Sequence, residues 1–216
     1  MKHFFAEGKW FLTPCFVLVI LLAALLVYLP KGDEIVFIHT QQTQALNVFF
    51  RLVTSLSEWP IAVIILIFSS VHGLNKGVLL TLTTLLNATL VTTLKKGVFA
   101  GYVRPAFFFE GKLALNFVPG VETYKYNSFP SGHTAAAFAL FFMMSLLVKD
   151  KRMSLVFFWV ATLVGFSRVY LLQHFLVDVY FGAILGVVVA VVCWQISKRF
   201  SYFGTSSFSA KHIDHV

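Results

Sequence analysis

Residues 153–197 read MSLVFFWVATLVGFSRVYLLQHFLVDVYFGAILGVVVAVVCWQIS. Two apolar runs, Met153 to about Leu172 and about Phe175 to Ile196, follow one another with almost no polar connection. Each has the roughly 20 residues needed to cross the hydrocarbon core of a bilayer. Yet the join between them carries Ser167, Arg168, His174 and Asp178. Ionisable groups this close to a membrane core are costly and commonly functional. The stretch therefore predicts two membrane helices joined by a chemically active turn.

The rest of the chain extends that pattern. It has 216 residues, of which 58% are hydrophobic and only 12% charged, about half the ~25% charged content of a soluble domain. Its mean hydropathy is +0.83. This excludes a disordered chain and argues strongly against an ordinary soluble globule. The expected fold is all-α, a polytopic bundle of six transmembrane helices at about 10–29, 59–72, 78–95, 132–148, 153–172 and 175–197. Residues 1–216 form one membrane-embedded domain on this reading. Trp10 to Leu29 follows Lys2 and Lys9 as a signal peptide would, but it is too long for one and no small-x-small site follows it. Cys15 and Cys193 both lie inside apolar runs, so neither a disulfide framework nor a zinc site is indicated.

Other segments have plain structural readings. Asn47 to Leu56 is patterned as an amphipathic surface segment. The threonine-rich third run, with Asn87, reads as a helix-packing surface rather than a conduction path. Phe107, Phe108 and Phe109 read as interfacial anchors of a loop rather than as a lipid entrance. Lys112 and Lys125 are expected to be solvated. His3, His39, His72, His212 and His215 have no identifiable partners. The last 15 or so residues are polar and expected to fray.

The net charge is +8. Its cations lie mainly between apolar segments, which favours anionic lipid head groups over nucleic acid as partners. With six helices and cytoplasmic termini, nine Lys and Arg fall inside and eight outside, or five once Lys96, Arg104 and Arg168 are assigned to a site. The cluster Lys149, Lys151 and Arg152 is the clearest inside marker.

That topology gathers three clusters on one face: Lys96 with Arg104, Pro130-Ser131-Gly132-His133, and Ser167-Arg168 with His174 and Asp178. His174 and Asp178 are four residues apart and share a helix face. The carboxylate can hold one ring nitrogen as N–H and leave the other with its lone pair, able to attack phosphorus. Arg168 lies on a different face of a continuous helix, so a break near Tyr170–Gln173 is required for convergence. Gly132 permits close approach of an anion at a helix N-terminus, and Ser131 adds a donor. His133 can protonate a leaving oxygen. Arg104 and Lys96 add charge, the arginine as a fork matched to phosphate oxygens. Ser167 either binds substrate or bonds the backbone at a helix end. The set lacks the carboxylate cluster of a catalytic metal site.

These residues resemble the type 2 phosphatidic acid phosphatase family, whose superfamily includes bacterial lipid phosphatases, glucose-6-phosphatase and vanadium haloperoxidases. Its pattern is Lys-x6-Arg-Pro, Pro-Ser-Gly-His and Ser-Arg-x5-His-x3-Asp. The second and third parts are matched in full by 130–133 and 167–178. The first departs: seven residues separate Lys96 from Arg104. Since an extra residue turns a helical side chain by about 100°, either Lys96 or Lys95 fills the lysine position.

The resemblance implies a membrane lipid phosphatase working through a phosphohistidine on His174, oriented by Asp178, with His133 as proton donor. Lys96, Arg104, Ser131, Gly132 and Arg168 would bind the phosphoryl group, and no metal or cofactor is expected. The candidate substrates are undecaprenyl diphosphate, phosphatidylglycerol phosphate, phosphatidic acid and a lipid A phosphate. The expected location is a bacterial inner membrane, with the site on the periplasmic face. Transfer to another acceptor is an alternative, and a non-enzymatic anion-binding membrane protein is a remote one.

Overall fold

The computed structural model describes residues 2–150 and 152–208, and the side chains of 7–150 and 152–199. The side chains of Lys2, His3 and Lys151, and residues Lys211, His212 and His215, lie outside that set. Among the described residues all regular structure is helical: α1 (Lys2–Tyr28), α2 (Asp33–Thr40), α3 (Gln44–Ser55), α4 (Trp59–Val71), α5 (Leu74–Thr93), a π-helical turn (Leu94–Val98), α6 (Pro105–Phe108), α7 (Gly132–Leu147), α8 (Arg152–Tyr170) and α9 (Leu176–Phe208). The last helix thus runs well into the polar tail.

Four helical segments are long and apolar enough to cross a membrane: Glu7–Tyr28, Leu74–Val98, Arg152–Tyr170 and Leu176–Arg199. A fifth is reached if α3 and α4, bent by 48° at their junction, act as one span. The amphipathic segment 47–56 is therefore the first limb of a bent pair. The sixth expected helix is α7, apolar but only 16 residues long, which rises about 24 Å against a core of about 30 Å. The chain is an all-helical integral membrane protein with four or five such spans.

Helix α7 is the centre of the bundle, with eleven of its residues buried. A protein-lined position frees it from the need for full hydrocarbon length. Phe11 of α1 packs among Phe138, Phe142 and Phe158, with ring centroids 6.1, 5.0 and 5.7 Å away.

Helices α7 and α9 approach each other closely. A Cβ at Gly182 would lie 2.7 Å from the Ser131 carbonyl oxygen, and one at Gly186 2.9 Å from Ala139 N. The Gly182-x3-Gly186 spacing lets two backbones meet, as in other membrane helix pairs. It brings the start of α9, with Asp178, against the start of α7, and Ser131 N–H donates to the Asp178 carbonyl at 2.9 Å.

The α5 stretch packs as expected, with Thr83 and Asn87 buried, but three of its threonine hydroxyls are satisfied within the helix rather than across to a neighbour. Thr81, Thr83 and Thr84 donate their hydroxyls to carbonyls one turn back in the same helix. In a setting without water, that is the nearest acceptor.

Candidate active site

Between α8 and α9 the chain makes the break required for convergence. Leu172 adopts a left-handed φ of 57°. Leu172 N–H donates to Val169 O and Gln173 N–H to Arg168 O, the paired bonds of a Schellman helix end. A leucine in this conformation costs about 1–2 kcal/mol. The turn stops α8 at Tyr170 and presents His174 just before α9 begins.

His174 and Asp178 are both buried. His174 Nδ1 faces Asp178 Oδ2 at 3.3 Å. The same carboxylate oxygen accepts the Phe175 N–H at 3.0 Å and a short bond from the Ser128 hydroxyl. Ser128 Oγ also lies 3.4 Å from His174 Nδ1. This arrangement assigns the Nδ1 proton toward Asp178 and leaves Nε2 with its lone pair. Burial, and the positive charges of Arg104, Lys95 and Arg168, hold the His174 pKa well below its usual 6.5, so the ring is neutral at neutral pH.

Arg104 is buried and is set by carbonyls. Nε donates to Tyr126 O at 3.0 Å, Nη1 to Gln173 O at 3.1 Å and Nη2 to Asn127 O at 3.5 Å. Its backbone N–H bonds Lys125 O at 2.9 Å. Burial lowers its pKa from the usual value, while the Asp178 charge acts in the other direction. Arg168 is 6% exposed. Its Nη1 donates to Thr54 Oγ1 at 2.7 Å, and its Nε has no hydrogen-bond partner. Among the described residues neither arginine has a carboxylate within ion-pair distance. Buried cations without a counter-ion are expensive, and an orphaned buried donor calls for an acceptor. A bound anion supplies both.

The first-motif lysine resolves on geometry. Lys96 is exposed, whereas Lys95 is half-buried and its Nζ donates to Asn127 O at 3.1 Å, beside Arg104 Nη2 on the same carbonyl. Both lysines lie in a π turn over Leu94–Val98, closed by Phe99 N–H to Leu94 O at 2.8 Å. Lys95, not Lys96, is the lysine at the site.

Ser131 is fully buried. Its N–H is taken by the Asp178 carbonyl, and its hydroxyl accepts from Thr134 at 2.9 Å, so it braces α7 against α9. Gly132 and His133 are half-buried, and His133 Nε2 lies 3.9 Å from Glu58 Oε1. Ser167 returns its hydroxyl to Val164 O at 2.6 Å, the backbone bond at a helix end that is one of its two expected roles. Among the described residues no group of three or more His, Cys, Asp or Glu is placed to hold a metal ion.

The sequence reading missed several contributors. Ser128 stands two residues before the Pro130 motif, and Gln173 directly precedes His174; adjacency was the available signal. Thr54, Glu58 and Glu34 carry no local signal. Glu34 is buried and accepts from Gly32 N–H at 2.9 Å and from Leu176 N–H at 3.1 Å, anchoring the start of α9 with a carboxylate.

The loop aromatics also differ from expectation. Phe108 packs edge-on against Phe175 at 5.4 Å, and Phe109 is buried, because Gly32 leaves room for both rings. Lys125 pairs with Glu110 at 2.8 Å. His39 accepts the Asn116 N–H at 3.2 Å, and His72 Nδ1 lies 2.8 Å from Phe68 O.

Comparison with known proteins gives the following. The PAP2 superfamily profile matches residues 76–202. The crystal structure of LpxE from Aquifex aeolicus superposes with a TM-score of 0.67 at 28% identity, covering 76% of this chain and 94% of that one. The crystal structure of the first transmembrane PAP2 type phosphatidylglycerolphosphate phosphatase from Bacillus subtilis gives 0.63 at 25%, covering 88% and 97%. A search of curated proteins returns no match.

Proposed function

This chain belongs to the PAP2 superfamily, and on that premise we propose that it is a metal-independent membrane lipid phosphatase acting through a phosphohistidine. The observation that carries the reading is the buried, neutral His174 beside Asp178, near Arg104, Arg168 and Lys95, none of which, among the described residues, has a carboxylate within ion-pair distance. The structural relative named a transmembrane PAP2 type phosphatidylglycerolphosphate phosphatase lends support.

In the proposed cycle, Arg104, Arg168 and Lys95 hold the phosphoryl oxygens, and the Gly132 backbone at the start of α7 lies against them. The lone pair of His174 Nε2 attacks phosphorus. The N–P bond forms as the P–O bond breaks, and the electron pair goes to the leaving oxygen, which takes a proton from His133. His133 then removes a proton from water as it attacks the phosphohistidine, releasing inorganic phosphate and restoring His174. Charge spread over the phosphoryl oxygens in the transition state meets fixed donors in a dry site, where electrostatic stabilisation is strongest.

Six crossings complete the reading, with α3–α4 as one bent span and α7 as a short one. Both termini then lie in the cytoplasm of a bacterial cell and the site faces the periplasm. Lys149 and Arg152, at the other end of α7 and α8 from His133 and Arg168, support that orientation.

The test is phosphate release in detergent from the four candidate lipids, in EDTA, beside His174→Ala. Release from at least one lipid, abolished in the variant, is expected. Release that survives the substitution would remove His174 as nucleophile, and full dependence on added Mg²⁺ would overturn the metal-free reading.

A further inference from the structure

A groove of about 590 Å³ begins at Asp178 and runs down the side of the bundle. Phe181, Leu185 and Val188 form one wall along α9, and Leu94 faces them from the end of α5. These α9 positions fall on one helix face, and the wall they make is apolar. Beside Asp178, at the reactive end, the groove is lined by Lys31.

Lys31 is exposed. It follows Pro30 at the end of α1 and lies outside the 76–202 superfamily match. Its ammonium sits 4.5 Å from the centroid of Phe175, the residue after His174, and 5.7 Å from that of Phe108. Among the described residues no carboxylate lies within ion-pair distance of it. The aromatic faces hold the cation in place without neutralising it. The phosphoryl cradle of Lys95, Arg104 and Arg168 is a separate set of charges. Lys31 instead stands where the reactive end meets the apolar wall, which is where the leaving group of a lipid substrate must lie.

Resting on the lipid-phosphatase reading, we propose that Lys31 is a specificity-determining residue that binds a second phosphate, so that the substrate is a lipid carrying an anionic group between the phosphoryl group removed and the hydrocarbon tail. Two lipid chemistries share that feature: a diphosphate, whose leaving group is itself a phosphate, and a phosphomonoester joined through a phosphodiester to its lipid. A lipid with one phosphate places only neutral ester oxygens beside the ammonium. A charge-assisted contact there distinguishes the two kinds of substrate, because the cation gains a partner with one and none with the other.

The experiment compares kcat/KM on three lipids with identical acyl chains in one detergent: diacylglycerol diphosphate, phosphatidylglycerol phosphate and phosphatidic acid. It is run on the wild type, Lys31→Gln and Lys112→Gln. Lys112 caps Phe108 at 4.6 Å and does not line the groove, so it controls for general surface charge. The wild type should prefer at least one two-phosphate lipid over phosphatidic acid. Lys31→Gln should lower that preference about tenfold or more, the worth of one hydrogen bond to a charged group, and Lys112→Gln should leave it in place. The first two lipids tell the diphosphate from the phosphodiester source. A wild-type preference for phosphatidic acid, or an equal loss on all three lipids in Lys31→Gln, would overturn the inference alone. So would an equal loss of preference in Lys112→Gln. No turnover of any lipid by folded protein would overturn the lipid-phosphatase reading and the inference with it.

Discussion

Asp178→Asn keeps the shape of a buried side chain and reverses part of its hydrogen-bonding logic. Asp178 Oδ2 receives the Phe175 N–H at 3.0 Å, the Ser128 hydroxyl, and His174 Nδ1 at 3.3 Å. All three neighbours act as donors, which suits a carboxylate that only accepts. An amide offers one accepting oxygen and one donating nitrogen. If the oxygen stays on Nδ1, a charge-assisted bond becomes a neutral one, a loss of about 1–2 kcal/mol. If the nitrogen faces Nδ1, the ring takes the Nε2–H tautomer and no lone pair points at phosphorus. The amide also fails to balance the positive charge that His174 acquires on bonding phosphorus. Together these should reduce kcat by about 10³–10⁴, equivalent to about 4–5.5 kcal/mol. KM should change far less, since the Arg104, Arg168 and Lys95 cradle is untouched. The assay is steady-state phosphate release on the best lipid, with thermal unfolding of the same preparation as the folding control. A variant with unaltered Tm that keeps more than about a tenth of the wild-type kcat would refute the orienting role of Asp178.

Three further outcomes are expected. Lys95→Ala should cost about tenfold or more in kcat/KM, as loss of a charged contact to phosphate, while Lys96→Ala stays within about twofold because its side chain is exposed; the opposite ranking would refute the assignment of Lys95 to the site. Thr54→Val removes the acceptor of Arg168 Nη1 and should raise KM about tenfold, with Thr54→Ser restoring it; an unchanged KM would show that Arg168 does not depend on Thr54. Because the His174 pKa is lowered in the fold, the unfolded chain binds a proton that the folded chain refuses as pH falls below about 6.5. Stability contributed by the neutral ring is thus present at higher pH and lost toward acid, so His174→Ala should lose less Tm than the wild type between about pH 7 and pH 5; equal losses would place the His174 pKa near its ordinary value.

Much of the site was legible because its signals are local. The spacing of four flagged His174 and Asp178 as a pair, although His174 precedes α9 and the carboxylate reaches back to it over the helix N-terminus rather than along a shared helix face, and the break at 170–173 followed from two full-length apolar runs meeting at a polar join. Apolar length likewise marked four of the crossings. Local signals were ambiguous where one crossing is bent, as in α3–α4, or where a helix is short because protein surrounds it, as in α7. Only the tertiary structure could decide which groups meet from distant parts of the chain. Arg168 and Thr54 are 114 positions apart, and the Glu34 bond to Leu176 N–H spans 142. The choice of Lys95 over Lys96 was made by tertiary contact, the Lys95 ammonium reaching the Asn127 carbonyl while Lys96 stays exposed, because neighbouring residues on a helix differ by about 100° in direction. Hydropathy reports how deep a segment lies and periodicity which residues share its face. Which way that face points is set by packing, here by Gly182 and Gly186 drawing α9 onto α7.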